Sequence, residues 1–395
     1  MIDRRWETVA GVEEMPLDAA HRRILAADIA APIAVPAADN SAVDGYALRH
    51  ADLGHGKETR LKLVGTSAAG HLFAGGLGKG EAVRIFTGAV IPEGADTIAM
   101  QEDARRDGEA VFLPSELRVG ANIRRAGEDI APGACVFGAG RALDAADIGI
   151  LASLGIARVP VRKKLRVAVF STGDELALPG AARRNGQIYD ANRPMLIALL
   201  ANLGVDATDL GILADNRKTV EAALRDASGK YDAVVGSAGM SVGDEDHVRP
   251  ALEALGEIDF WKIAIKPGKP IGVGRVGKAA FFGLPGNPVA LVVAFVTVVR
   301  PALMRLAGAV AKPVRGFPVV ADFTMHRRTG RREFLRATLQ EDAAGRLTAR
   351  SYPRGGSGIL SSITGSDGLL DIREDVADIA PGMSLSFIPF AALGL

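Results

Sequence analysis

Apolar and polar positions along the chain fall into several distinct textures. Residues 13–29 place Leu17, Ala20, Ile24 and Leu25 on one stripe, with His21, Arg22 and Arg23 facing away, which predicts an amphipathic helix. From residue 30 to about 140, short apolar runs such as 61–64 and 82–86 are broken by glycines and by Pro32, Pro36, Pro92, Pro114 and Pro132, the pattern of a turn-dense β module. Helical spacing returns over 143–157 and ends at Arg162-Lys163-Lys164, so the β module reads as an insertion in a small helical unit. From residue 165, strands (165–170, 207–213, 233–236, 258–265) alternate with helices (192–203, 217–227, 247–255). Short links between such elements make βαβ units and a parallel sheet covered on both faces, with ligands expected at the carboxyl ends of its strands. Runs at 270–275 and 279–283 predict a hairpin, and 288–307 a long apolar helix on the sheet. Short strands after residue 313 (317–323, 333–339, 347–351, 384–387) predict a small barrel or sandwich.

The expected fold is therefore multidomain α/β and β. A small helical linking domain (1–29 and 141–163) carries an inserted β-rich domain (30–140). A three-layer α/β domain with a mostly parallel sheet (164–310) and a C-terminal β-barrel (311–395) follow. The length of 395 residues agrees, because single cores stop growing near ~250–300. Lys and Arg number 47 against 46 Asp and Glu, so no global field draws the chain to nucleic acid or an acidic membrane, and any anion site must be local. The single cysteine, Cys135, excludes an intrachain disulfide and a cysteine-based zinc cluster. The charged N-terminus is followed by no apolar core, and the apolar run 288–299 is closed by Arg300 and Pro301, short of the ~20 residues of a membrane span. A cytoplasmic protein is the expectation.

Two familiar patterns mislead. Gly272-Val273-Gly274-Arg275-Val276-Gly277 matches a phosphate-binding fingerprint, yet a strand follows it where a helix must open, which leaves a glycine hairpin. Gly239-Met240-Ser241-Val242-Gly243 matches a nucleophile elbow and keeps a serine hydrolase through Ser241 as the competing enzyme class. Asp244, Glu245 and Asp246 follow at once and would oppose an oxyanion.

The expected carboxyl edge of the sheet carries better signals. Ser171-Thr172-Gly173-Asp174-Glu175 exposes two carboxylates there, although capping alone could account for Asp174. Residues 237–243 offer backbone N–H groups to a phosphate or another oxyanion, and the acids at 244–246 fit such a site if Mg²⁺ bridges carboxylate and phosphate oxygens. In Trp261-Lys262-Ile263-Ala264-Ile265-Lys266, a period of two puts Ile263 and Ile265 on one face and Lys262 and Lys266 on the other. Two ammonium groups on one face of an internal strand call for an anion, or for ion pairs with Glu175 or Asp246. Residues 283–288 turn a strand into a helix with Pro285 and Pro288 fixing φ. Residues 39–47 and 124–129 mix polar groups with glycine in loops and, taken alone, could be ordinary turns.

Six collinear segments, 39–47, 84–89, 122–129, 170–176, 264–270 and 283–288, together resemble the molybdopterin molybdenumtransferases of the MoeA and gephyrin E-domain family, and the resemblance covers nearly the whole chain. It implies Mg²⁺-dependent insertion of molybdate into adenylylated molybdopterin, with AMP released and molybdenum cofactor formed. It also implies a homodimer whose active site is shared between subunits, with a molybdopterin adenylyltransferase as partner. No nucleic acid or membrane is implied, and a non-catalytic molybdopterin-binding scaffold is the alternative. Carried over by motif, the catalytic positions are Asp44, Thr87, Asp129, Glu175, Lys262 and Lys266. Ser237, Gly239, Ser241, Gly243, Asp215, Pro285, Pro288 and Ser357 would bind substrate, and Glu175 and Asp246 would hold the metal. Ala238, Glu245 and His247 depart from the family pattern.

Overall fold

The computed structural model describes residues 6–56, 58–237, 247–310 and 314–395. Where a helix was expected over 13–29, the chain instead forms strand β1 (Val12–Pro16), a short 3₁₀ turn and irregular turns. Pro16 biases Met15 toward extended backbone, and Arg22, at φ 63°, turns the chain out of the helical region in the middle of the expected stripe. β1 pairs antiparallel with Arg158–Arg162. Arg23, expected on the solvent side, is buried and donates to Glu13 and to the Arg162 carbonyl.

The inserted module contains β2 (Gly45–Leu48), β3 (Glu58–Ser67), β4 (Glu81–Ile85), β5 (Thr97–Met100), β6 (Arg105–Asp107) and β7 (Ala110–Pro114) in a sheet of order β5-β2-β4-β3-β7-β6. The chain then enters α1 (Ala145–Ser153), started by a reciprocal capping box between Asp144 and Asp147. It returns along β8 (Arg158–Arg162), so the linking unit holds one helix beside a two-stranded ribbon.

Next come β9 (Arg166–Thr172), α2 (Asn192–Asn202), β10 (Asp206–Leu213), α3 (Arg217–Lys230), β11 (Ala233–Ser237), α4 (Val248–Leu255), β12 (Gly256–Lys262), β13 (Ile265–Lys266), β14 (Pro270–Val276) and β15 (Ala279–Leu284). The central sheet runs β10-β9-β11-β15-β14-β12, with the first four strands parallel, β14 antiparallel to β15, and β12 antiparallel to β14. Along β9, Val167 and Val169 join one core while Ala168 and Phe170 join the core on the opposite face, which is why the strand is apolar throughout. The expected single strand over 258–265 splits in two. β12 ends the central sheet as its antiparallel edge, and β13 leaves that sheet to pair in parallel with a strand of the C-terminal barrel.

The long apolar helix is present as α5 (Pro288–Ala294), a π turn (Phe295–Val299) and α6 (Arg300–Leu306). Pro301 cannot donate to the carbonyl four residues back, and the widened π turn takes up that defect without ending the helix. By length and composition 288–306 could cross a membrane, but its apolar side chains form the core under the sheet.

In the C-terminal region, β16 (Phe317–Ala321), β17 (Arg332–Glu341), β18 (Leu347–Ser351), β19 (Gly368–Ile372) and β20 (Ser384–Pro389) close into a ring β17-β18-β16-β20-β19-β17 around Val319, Ala337, Leu370 and Phe387. β19, absent from the expected strands, closes the barrel. The multidomain α/β and β architecture read from the chain is the one observed.

Candidate active site

Three loops far apart in sequence meet on the inserted module. Asn40–Ser41 pairs antiparallel with Ile123–Arg124. The Ser41 N–H donates to the Ala89 carbonyl and the Gly88 N–H to the Ser41 carbonyl. Gly88, at φ 78°, sits where a side chain would be strained. This stitching places Asp44 Oδ1 2.7 Å from both the backbone N and the hydroxyl of Thr87. The N–H and then the hydroxyl of Thr87 hold the Asp44 carboxyl below its usual pKa, with Arg84 adding to the effect. The Arg125 guanidinium and the Ala126 N–H, at 2.7 and 2.8 Å from Asp39, fix the loop that carries exposed Asp129.

A second cluster gathers at the carboxyl ends of the parallel strands. β9 ends in Ser171 and Thr172, whose buried hydroxyls have no hydrogen-bond partner among the described residues. Ser171 stands in register with Ser237 at the end of β11. Asn192, at the start of α2, donates from Nδ2 to the Ser237 hydroxyl at 2.9 Å and to the Gly286 carbonyl at 2.7 Å, tying two strand ends together. Glu175 is exposed on this rim, its carboxylate folded over Gly173, where φ is 140° and an added Cβ would lie 2.5 Å from Glu175 Oε2. Asp215 follows β10, just before Asn216 caps α3.

Between this edge and the barrel lies a cavity of about 620 Å³. Four cations line it, Lys266, Lys269, Arg331 and Arg336, against one carboxylate, Glu333. Lys266 Nζ lies 2.7 Å from Glu333 Oε1, and Arg327 Nε lies 2.8 Å from Glu333 Oε2, so one buried acid is shared by two bases. Arg336, buried in the barrel wall, donates to the Ser362 hydroxyl and the Gly356 carbonyl at 3.0 Å each and has no carboxylate within ion-pair distance among the described residues. Burial pulls its pKa down, partly opposed by Glu333, yet a guanidinium stays charged. Pro285, Asn287 and Ser357 complete the wall, and the Val289 N–H donates to the Ser357 carbonyl at 3.0 Å, docking the 355–358 loop on the helix that Pro288 begins. An excess of fixed positive charge in a half-closed cavity suits a small oxyanion.

Residues 2–155 match the MoeA N-terminal region (domain I and II), residues 168–305 a probable molybdopterin binding domain, and residues 318–390 the MoeA C-terminal region (domain IV). A molybdopterin molybdenumtransferase of Haemophilus influenzae is 39% identical over 380 residues, covering 96% of this chain and 94% of that protein. The chain belongs to the MoeA family. It is thereby a transferase with a role in molybdenum cofactor biosynthesis. Molybdopterin molybdenumtransferase 2 of Mycobacterium tuberculosis is 35% identical, covering 94% of this chain and 93% of its own. The solved structure of the molybdopterin biosynthesis MoeA protein from Pyrococcus horikoshii superposes with a TM-score of 0.83 at 28% identity, covering 97% of this chain and 96% of that one.

Measured against this MoeA-family fold, the expected site residues divide. Asp44 and Thr87 touch each other, while Lys266, Pro285 and Ser357 share the cavity wall beside Pro288. Ser237 joins them through Asn192 and Gly286. Gly239, Ser241, Gly243 and Asp246, with the departures Ala238 and Glu245, lie outside the described residues, whereas His247 precedes α4. Lys262 is exposed at the end of β12 and does not line the cavity. The shared face expected for Lys262 and Lys266 fails because the strand breaks between them: the Ile263 N–H turns to the Lys269 carbonyl, and the Ala264 carbonyl accepts from Arg332. The acid paired with Lys266 is Glu333, not Glu175, because β13 has moved into the barrel. Among the described residues, no hydrogen bond or ion pair links Asp44 or Thr87 to the cavity. Sequence reasoning missed Asn192, Glu333 and Arg336. The run Glu333-Phe334-Leu335-Arg336-Ala337, two charges inside an apolar strand, was the available signal for the last two.

Proposed function

We propose that this MoeA-family chain inserts molybdate into adenylylated molybdopterin with release of AMP, forming molybdenum cofactor. The observation that carries this reading is the cavity with four cations and one carboxylate, set beside the strand ends where α/β sheets bind ligands. Molybdate is a tetrahedral dianion. Lys266 and Arg336, with Lys269 and Arg331 at the same wall, would neutralise it, and the committed Glu333 fixes the Lys266 ammonium in place. This assignment moves the oxyanion from the pair Lys262 and Lys266 to Lys266 and Arg336. Ser237, the unpartnered Ser171 and Thr172 hydroxyls and Asp215 face the pterin and phosphate side of the substrate, while Pro285 and Pro288 hold the turn between strand and helix rigid.

The donor set fits a Mg²⁺ ion carried largely by substrate phosphates. Among the described residues no three His, Cys, Asp or Glu groups cluster as a protein cage, and Glu175 presents a single exposed carboxylate at the rim. Glu175, with Asp246, would hold it, and such an ion when bound neutralises charge on the phosphoanhydride. Asp44, Thr87 and Asp129 would come from a second copy across a homodimer interface, which fits the lack of any bond between them and the cavity among the described residues of one chain. A cytoplasmic location and substrate delivery by a molybdopterin adenylyltransferase complete the reading.

The test is molybdate-triggered AMP release from adenylylated molybdopterin. Arg336→Met should lower the rate by on the order of 100-fold, the scale of losing one fixed charge stabiliser, with the fold retained by circular dichroism. An unchanged rate in a folded Arg336→Met protein removes Arg336 from the oxyanion site, and no AMP release by the unsubstituted chain removes the reaction.

A further inference from the structure

Ile265 and Lys266 are successive residues of β13 and point to opposite sides. Lys266 faces the cationic cavity, whereas Ile265 faces a second cavity of about 800 Å³ between the barrel, the α5–α6 helix and the linking unit. Its wall is largely apolar, with Ile263, Val296, Met304, Phe334 and Ile388 around Ile265. Three guanidinium groups enter this wall, and two are committed. Arg141 grips Asp147 at 2.8 and 2.7 Å, and Arg332 grips Asp371 at 2.6 Å through both oxygens. The other lining acid, Asp144, caps α1 by accepting from the Asp147 N–H, and the Thr297 hydroxyl donates back to the Val293 carbonyl. Arg300 differs: it makes no ion pair or hydrogen bond among the described residues, and its buried Nε has no acceptor. Burial alone sets its pKa below the arginine norm, and no acidic neighbour raises it. A guanidinium does not lose its proton, so Arg300, half-buried and with its Nη groups open to solvent, brings to an apolar wall a positive charge that no acid matches, and an anion there would complete it.

We propose that this cavity binds a small amphipathic monoanion, an aromatic or branched aliphatic carboxylate, with its carboxylate on Arg300 and its hydrocarbon body against Ile265, Val296 and Met304. A single charge is required because only one of the three described guanidinium groups at this wall is free, so a phosphate dianion would carry an unmatched charge onto hydrocarbon. The size suits such a ligand, as pockets of ~300–1,000 Å³ hold small organic molecules.

The experiment is calorimetric titration of the full chain with 2-naphthoate and with its neutral isostere 2-naphthamide. Saturable binding of one 2-naphthoate per chain is expected, roughly tenfold or more tighter than the amide, the ratio a charge-assisted hydrogen bond gives. Arg300→Met should bring the acid down to the amide's affinity, and Arg300→Lys should keep part of the preference. The acid-to-amide ratio of the unsubstituted protein needs no variant, so a misfolded Arg300→Met leaves the proposal decidable. Absence of saturable binding, equal affinity for the two compounds, or an acid preference that survives Arg300→Met would each overturn it, including the case in which a second copy of the chain covers the cavity.

Discussion

Glu333 is one carboxylate between two cations, and the three residues are unequal: Glu333 and Arg327 are buried, while the Lys266 side chain is 45% exposed. Removing the acid therefore strands Arg327 more than Lys266. Glu333→Gln should destabilise the barrel by about 3–5 kcal/mol in urea unfolding, the cost of leaving a buried charge unpaired. At Asp44 the sign of the pH effect follows from the lowered carboxyl pKa. Thr87 stabilises the charged form in the folded chain, so the contact and its stability are fully present above the ordinary aspartate value of 3.8 and are lost as pH falls through the lower folded-state value. The Thr87 amide resonance should thus stay fixed from pH 7 down to about 4 and move only at lower pH; a shift near neutrality would contradict the contact. The local pairing of Asp44 with Thr87 was not legible in the chain, because it depends on how three separated loops are stitched. The buried charges at 333 and 336 were legible in principle, since apolar strands rarely carry unpaired ions.

At the scale of elements, a period of two and a period of 3.6 located most strands and helices, and the failures have specific causes. The left-handed turn at Arg22 broke the helical stripe over 13–29, while Pro301 was absorbed by a π turn without ending its helix. The glycines of 272–277 show why a sequence fingerprint must be placed on an element before it is believed. An added Cβ at Gly274 would stand 2.1 Å from the Glu257 carbonyl oxygen, and one at Gly256 would stand 1.8 Å from the Arg275 carbonyl oxygen. These glycines let the edge strand β12 approach β14; they do not cradle a phosphate. Gly274→Ala should cost about 1–3 kcal/mol of thermal or denaturant stability through that clash, with phosphate affinity unchanged. The split between β12 and β13 escaped period-two reasoning because Ile263 and Ala264 suit either sheet, and only the partner strand β17 decides.

For the whole molecule, a site shared between copies makes a quantitative demand. Mixing Asp44→Ala and Arg336→Met chains, each strongly impaired alone, leaves one intact site in every mixed dimer and should recover about a quarter of normal AMP release after exchange, given a two-fold homodimer. Full independence of the two variants, with no recovery, would place the whole site in one chain. The multidomain architecture, the C-terminal barrel included, was readable because the chain changes texture along its length, whereas the strand that closes the barrel, β19, was not among those read from the sequence. That closure has a genetic consequence. β20, although it comes last in the sequence, stands between β16 and β19 in the ring. A stop codon just before residue 384 would pull a stave from the cask rather than trim its lid, and an allele missing so little of the message should behave as a null.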